Sequence, residues 1–331
     1  MIKTISLFSG CGGLDLGFKK AGFDIIFAND IDKDACETYK KNLGNEIKCL
    51  DIYNLNAEEI PDGDILIGGF PCLGFTVANG KNRDLNSKYN SLYLEYARIL
   101  KAKQPKCFLV ENVVGITAGA KFKENFEKEI LRSFSECGYK VKYQILNAND
   151  FFVAQNRKRV IILGVRNNID KELNFPTPQE IKFTLKDAIS DLPDDFNEQI
   201  PNHIGNTHKV KINGYVGNRI LDWNKPSPTI TGRGSRSGGA VIHPHPNLKR
   251  RLSIRECARL QSFPDDFIFL GSNSACYAHI GNAVAPLFAW FVANEIRPFF
   301  GLKKLNFKDI KWNLPYLKYG DTVLHQNYIA S

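Results

Sequence analysis

Pro71-Cys72, set in Gly68-Gly69-Phe70-Pro71-Cys72-Leu73-Gly74-Phe75-Thr76, follows the strand-like run Asp64-Ile65-Leu66-Ile67 and puts a thiol where the chain must turn. In open α/β folds ligands bind in the crevice at the carboxyl ends of the strands, so a thiolate there could attack a bound substrate. The neighbouring glycines would let that substrate approach the backbone closely. Free cysteine is also among the most buried residue types and commonly acts as a small hydrophobe, so the thiol needs partners before it has a task. Glu111-Asn112-Val113 follows the strand-like residues 107–110 and should emerge on the same edge. A carboxylic acid in a partly desolvated pocket could donate a proton there, although an ordinary strand-end carboxylate would read the same way. Gln155-Asn156-Arg157-Lys158-Arg159 puts two arginines two residues apart at the mouth of another strand, where both can face one side. A solvated cationic patch is the plainer alternative.

Phe8-Ser9-Gly10-Cys11-Gly12-Gly13 closes the first strand and opens the first helix, with glycines that permit a tight turn and close approach of a ligand. It is not the dinucleotide fingerprint, because the third glycine would fall at Asp15. Asp30 follows the second strand, where a carboxylate can accept hydrogen bonds from ribose hydroxyls. Either this is a glycine turn plus a surface aspartate, or the two together hold a nucleoside cofactor without a pyrophosphate.

These groups need a frame. Short branched or aromatic runs at 2–8, 25–28, 65–67, 108–110, 141–146 and 160–165 alternate with amphipathic stretches such as 33–43, 89–103 and 121–137. That alternation predicts an α/β fold with a doubly wound, mostly parallel sheet. After residue 167 the period fails, and proline, glycine, asparagine and serine accumulate from 176 to 246, which predicts a second, smaller, irregular domain with short strands. Ser253-Ile254-Arg255-Glu256 is a capping-box pattern, opening a helix that must stop before Pro264. A last apolar helix is expected over 286–296.

The chain has 331 residues, 43% of them hydrophobic and 24% charged, as in an ordinary globular protein. No uninterrupted apolar stretch of bilayer length stands out, and residues 1–8 read as a strand rather than an export signal, so the expected location is cytoplasmic, with no membrane partner. The eight cysteines are scattered without a Cys-x-x-Cys pair or a Cys/His cluster, so neither a disulfide framework nor a metal site is expected. Between 202 and 255 ten Lys or Arg face a single acid, Asp222, so the whole net charge of +9 lies in this segment. Excess confined to one segment of an otherwise neutral chain points to a polyanion such as nucleic acid.

Taken in order, these blocks resemble the DNA (cytosine-5) methyltransferases of bacterial restriction-modification systems. The resemblance rests on Phe8, Gly10, Gly12 and Gly13; Pro71-Cys72; Glu111 to Val113; Gln155, Arg157 and Arg159; Arg255 to Arg259 continuing into Phe263-Pro264-Asp265; and Gly281 to Val284. It reaches about Ile296 and excepts the variable segment. It implies a Rossmann-like S-adenosylmethionine-dependent fold, with a catalytic and cofactor domain over 1–187 and a target-recognition domain over 188–248. A hinge would occupy 249–277, a returning helix 278–300, and a tail without assigned role 301–331.

The resemblance further implies that Cys72 adds to carbon 6 of a flipped-out cytosine in a specific duplex sequence, making carbon 5 nucleophilic toward the methyl donor. Glu111 would hold and protonate ring nitrogen 3, while Arg159, with Arg157 nearby, would bind the base carbonyl, the target phosphate or Glu111. Phe8, Gly10, Gly12, Gly13, Leu14, Asp30, Ile31, Asp51, Ile52, Pro71, Asn282 and Val284 would form the S-adenosylmethionine site, Asp30 at the ribose and Asp51 at the adenine amino group. The polar segment 77–91 looks like a closing loop that touches phosphates, and Thr76, Lys81 and Arg83 would contact DNA. Arg219, Thr231, Arg233 and Arg236 are expected DNA contacts, the arginines as base readers. Leu73 departs from the glutamine usual after the nucleophile. A monomer acting on double-stranded DNA beside a cognate restriction endonuclease is expected; a tRNA cytosine-5 methyltransferase and a catalytically silent DNA-binding protein are the alternatives.

Overall fold

Strands that are apolar at consecutive positions need cover on both faces, and the central strands have it: Ile65, Leu66, Ile67, Phe108, Leu109 and Val110 are all fully buried. The computed structural model describes residues 1–71, 91–205, 210, 212–213, 218–232 and 242–317. Among these, strands β1 (Ile2–Leu7), β2 (Phe23–Asp30), β3 (Ile47–Cys49), β4 (Ile65–Gly68), β5 (Cys107–Val113), β6 (Tyr139–Asn147) and β7 (Lys158–Arg166) form one sheet in the order β3-β2-β1-β4-β5-β7-β6. The first five run parallel, while β7 and β6 close the edge antiparallel. This is the mostly parallel sheet that the alternation predicts. Strand order reverses between β1 and β4, so the switch point, where such sheets bind ligands, lies at their carboxyl ends. β1 runs there into Phe8–Gly13 and β4 into Gly69-Phe70-Pro71.

The helices are α1 (Gly13–Lys20), α2 (Lys33–Asn42), α3 (Leu92–Lys103), α4 (Ala120–Asn125), α5 (Arg132–Glu136), α6 (Leu185–Ile189), α7 (Ile254–Leu260), α8 (Asn273–Asn282) and α9 (Pro286–Ile296). A π-turn, Phe126–Leu131, joins α4 to α5, so the stretch 121–137 is helical throughout but locally wider. Phe126, Ile130 and Phe134 then all enter one core cluster with Leu66, Phe108 and Tyr96. The Tyr96 hydroxyl donates to the carbonyls of Leu66 and Leu109 at 3.0 and 3.1 Å, fixing α3 to two adjacent strands.

Two units interleave along the chain: 1–147, 158–177 and 289–305 in the first; 148–157, 178–288 and 306–331 in the second. The first holds the sheet. In the second, the expected capping box at α7 is formed, with the Glu256 amide donating to Ser253 Oγ and the Ser253 amide to the Glu256 carboxylate. Its core packs Phe263, Phe267 and Phe269 in tilted and T-shaped ring contacts, and gathers Phe152, Phe183, Phe307 and Tyr316. Instead of the expected short strands, the described part of this unit carries only isolated bridges, Gln155 to Ser227 and Pro244 to Arg251. Residues 306–317 of the unassigned tail contribute buried Trp312, Leu314 and Tyr316 to the second unit, and Asn313 accepts from the Asp265 amide. One run, Asn273–Phe300, does have the length and hydropathy of a bilayer span; 83% of its apolar window is buried, as in a core helix.

Candidate active site

Beyond β1 the backbone turns through left-handed conformations at Phe8 (φ 54°), Gly10 (φ 55°) and Gly12 (φ 93°). A side chain at Gly12 would collide with Leu43 and stand 2.9 Å from the Tyr39 ring, so this glycine is demanded by packing as well as by φ. At Gly10 nothing lies within 4 Å, which leaves open space on that side of the turn. Asp30 anchors the turn: its carboxylate accepts from the Gly10 amide at 2.7 Å and the Asp32 amide at 2.9 Å, while burial pushes its pKa up. Beneath the turn lies a buried polar cluster that the sequence reading missed. Ser6 Oγ and the Tyr39 hydroxyl donate to the two oxygens of Asp15 at 2.7 and 2.8 Å, and Ser9 Oγ donates to Ser6 Oγ at 2.9 Å. Desolvation raises Asp15 from 3.8 to about 6. Its only sequence signal is a carboxylate at the place where a dinucleotide site would carry glycine.

Next to this turn, Asp51 caps the 3-10 turn Ile52–Asn54 by accepting from the Tyr53 amide at 3.1 Å. Ile31 is 64% exposed and Tyr53 54% exposed, large apolar groups left uncovered after β2 and β3. Carboxylates at the strand ends beside uncovered apolar side chains suit a nucleoside: hydroxyls and an amino group for the first, a flat ring for the second. Leu14 and Ile52 differ from these, because their side chains are buried.

The second segment at the switch point carries the groups of the expected base pocket. A side chain at Gly69 would stand 3.1 Å from the Glu111 carbonyl and 3.2 Å from its carboxylate, so the β4 exit lies directly against Glu111. Asn112 donates to the Phe70 carbonyl at 3.1 Å, and the Phe70 ring is buried among Tyr93, Tyr96 and Phe134. Both contacts fix the chain up to Pro71, which is exposed. Cys72, Leu73, Thr76, Lys81 and Arg83 lie outside the described residues. Across the β5–β7 pairing Val113 faces Arg159, so Arg159 and Glu111 share one face diagonally. Arg159 Nε meets Glu111 Oε1 at 2.8 Å, with each side chain only 10% exposed. Burial lowers the arginine's pKa and the Glu111 charge opposes that.

Arg157 does not join this pair. Its guanidinium donates to the carbonyls of Ile230, Gly281 and Ala283 at 2.9, 2.8 and 3.0 Å, all in the second unit, as Arg157 itself is. Gln155 accepts from the Ile230 amide at 2.9 Å and donates to the Leu260 carbonyl at 3.2 Å. Gly281 leaves no space for a side chain against the Thr231 carbonyl, and Gly232 none against Asn282. Three blocks far apart in sequence thus meet here: 155–157, 230–232 and 281–284. Asn282 is exposed and Val284 buried, both in the second unit. Arg219 is exposed and Thr231 half-buried, while Arg233 and Arg236 lie outside the described residues. Part of the basic excess is spent internally: Arg250 pairs with Glu256, Arg251 donates to the Ile242 carbonyl, and Arg255 donates to the carbonyls of Pro201, Pro264 and Phe267.

Residues 2–297 match the profile of the C-5 cytosine-specific DNA methylases. The Type II methyltransferase M.MthTI of Methanothermobacter thermautotrophicus is 39% identical over 322 residues, covering 88% of this chain and 96% of that protein. M.FnuDI of Fusobacterium nucleatum is 39% identical over 333 residues, covering 89% of this chain and 94% of its own. A solved E. coli structure, described as a prophage-encoded DNA modification methyltransferase, superposes with TM-score 0.74 at 26% identity, covering 91% of this chain and all of that one.

Proposed function

The chain belongs to the C-5 cytosine-specific DNA methylases, and from that premise we propose that it methylates carbon 5 of a cytosine flipped out of a specific duplex sequence, through a covalent adduct with Cys72. The observation that carries this reading is the buried Arg159–Glu111 pair lying against Gly69, three residues before the thiol. Cytosine carbon 5 is a weak nucleophile, and addition of the Cys72 thiolate to carbon 6 moves the double-bond electron pair toward it. Glu111 holds ring nitrogen 3 and gives it a proton as charge builds there. Arg159 holds the Glu111 carboxyl in place and offsets that charge in a site shielded from water. Asn112 steadies the segment from which Cys72 attacks. Once carbon 5 carries the methyl group, a base takes the carbon 5 proton, nitrogen 3 returns its proton to Glu111, and Cys72 leaves carbon 6 as a thiolate, which frees the base and the enzyme.

The residues at the switch point fit S-adenosylmethionine, which when bound supplies an electrophilic methyl group. The Phe8–Gly13 turn with Gly10, Gly12 and Gly13, and the side chains of Asp30, Ile31 and Asp51, would hold it, with Leu14, Ile52 and Pro71 shaping the walls; the family resemblance also assigns Asn282 and Val284 to the cofactor. Arg157 serves as the clamp that orders residues 230 and 281–283 rather than as a group at the base. Residues 188–248 read the target, through Arg219, Thr231, Arg233 and Arg236, and segment 77–91 closes over the extruded base with Thr76, Lys81 and Arg83 on the DNA. In the cell this monomer would protect cytoplasmic host DNA against a partner endonuclease.

Duplex DNA carrying 5-fluorocytosine at the target position tests the mechanism, because fluorine cannot leave as a proton does. Wild-type protein with S-adenosylmethionine should give a denaturant-stable complex, and Cys72→Ala none. Equal trapping by both proteins would remove Cys72 as the nucleophile.

A further inference from the structure

Cysteines 36 and 49 are separated by an entire helix turn, a loop and a strand, yet they meet beside Asp30. β3 pairs with β2 so that Cys49 stands opposite Asp30. Cys36 lies in the first turns of α2, which starts just after Asp32. The Cys36 thiol donates to the Asp30 carbonyl at 3.7 Å, and the Cys49 thiol to the Ile31 carbonyl at 3.9 Å. The two acceptor carbonyls belong to adjacent residues, so the register and these bonds bring both thiols to one short stretch of backbone. Among the described cysteines Cys49 alone is exposed, while Cys36 is fully buried. An outer thiol that solvent can reach therefore lies beside an inner thiol, and both bind the backbone of Asp30 and Ile31, two of the residues proposed to hold the cofactor.

We propose that Cys36 and Cys49 form an oxidation-responsive dithiol, in which a hydroperoxide drives a disulfide that distorts the cofactor site. The peroxide's O–O bond breaks as Cys49 sulfur attacks it, giving a sulfenic acid and one molecule of alcohol or water. Cys36 sulfur then attacks Cys49 sulfur, the S–O bond breaks, and the Cys36 proton leaves with the hydroxyl as water. In sum two thiols and one hydroperoxide give a disulfide, an alcohol or water, and a second water. Both S–H donors to Asp30 and Ile31 are lost, and the sulfurs close to about 2.05 Å. The first turn of α2 is thereby drawn toward β3, and the Asp30–Asp32 segment between them must move. Burial and the neighbouring Cys49 and Asp30 hold the Cys36 thiol above its usual range, so the inner sulfur acts second and slowly.

The consequence for ligand binding rests on the cofactor reading above; the disulfide itself does not. Purified full-length protein is treated with hydrogen peroxide, remaining thiols are alkylated, and proteolytic peptides are weighed. In parallel, S-adenosylmethionine affinity is measured by calorimetry before oxidation, after it, and after dithiothreitol. The expected result is a peptide pair joined through Cys36 and Cys49, with affinity weakened about tenfold or more and restored by reductant. Cys36→Ser and Cys49→Ser should each bind the cofactor as the reduced wild type does and keep that affinity under peroxide. Absence of the joined peptides, or joined peptides with unchanged affinity, would overturn the proposal. A joined pair in a protein whose reduced form binds no S-adenosylmethionine would support the dithiol while refuting the cofactor site.

Discussion

Glu111 and Arg159 form the pair on which the proposed chemistry turns, and their burial separates a structural from a chemical role. With each side chain about 10% exposed, removing one partner leaves the other charge buried and unpaired, a loss of about 3–5 kcal/mol in comparable pairs. Replacing both by uncharged groups of similar volume often restores stability. Arg159→Ala should therefore lower the urea midpoint strongly, whereas Glu111→Gln combined with Arg159→Met should recover most of it. The chemistry should not recover: without the proton donor, single-turnover methyl transfer should stay about 10²–10⁴-fold down. A double variant that is both stable and active would show that the pair is merely architectural.

At the scale of elements, turns and strand ends were the legible parts. Phe8–Gly13, Gly69–Pro71 and Glu111–Val113 carry their meaning in a few adjacent residues; the first two begin where a strand ends, whereas the third, expected to follow its strand, forms the last three residues of β5, which its pairing with β7 extends past the apolar run. β3, with three residues, and α8, Asn-Ser-Ala-Cys-Tyr-Ala-His-Ile-Gly-Asn, show too short or too weak a period to be read. Arg157 looked like a twin of Arg159, and no spacing rule could reveal that its partners are carbonyls at 230, 281 and 283. The same holds for Asp15, whose partners Ser6 and Tyr39 come from a strand and a second helix. Gly12 joins both kinds of information: its φ could be suspected from the motif, but its contact with Tyr39 and Leu43 depends on how α2 packs. Gly12→Ala must bear the left-handed strain and push α2 away, costing about 1–3 kcal/mol. Because Tyr39 also holds Asp15, the cost should include weaker S-adenosylmethionine binding. A variant with wild-type melting temperature and affinity would mean that the turn is not seated on α2.

For the whole molecule, the two units carry buried ionisable groups of opposite response to acid. In the first, Asp15 is raised from 3.8 to about 6 by burial, and Asp30 is raised as well. Between about pH 4 and pH 6 the folded state holds a proton on Asp15 that the unfolded chain has released, so this unit gains stability as pH falls through that window, on the order of 2–3 kcal/mol for Asp15. In the second unit burial lowers His243 from 6.5 to about 4, and lowers His203 and His245 despite the Glu256 charge near both. Here the unfolded chain takes up protons first, so stability present above pH 6.5 is lost as pH falls toward 4. Acidification from pH 7 to about pH 5 should thus loosen the unit that carries the basic segment while leaving the sheet intact. Hydrogen exchange by mass spectrometry reads this directly: protection across 242–260 should fall while that across β1 and β2 holds or rises. Loss of protection in the sheet first, or equal loss in both, would mean that the histidines are not the groups that set acid stability. With the expected order, His243→Gln, which removes the protonation, should shift the loosening of 242–260 to lower pH and leave β1 and β2 unchanged.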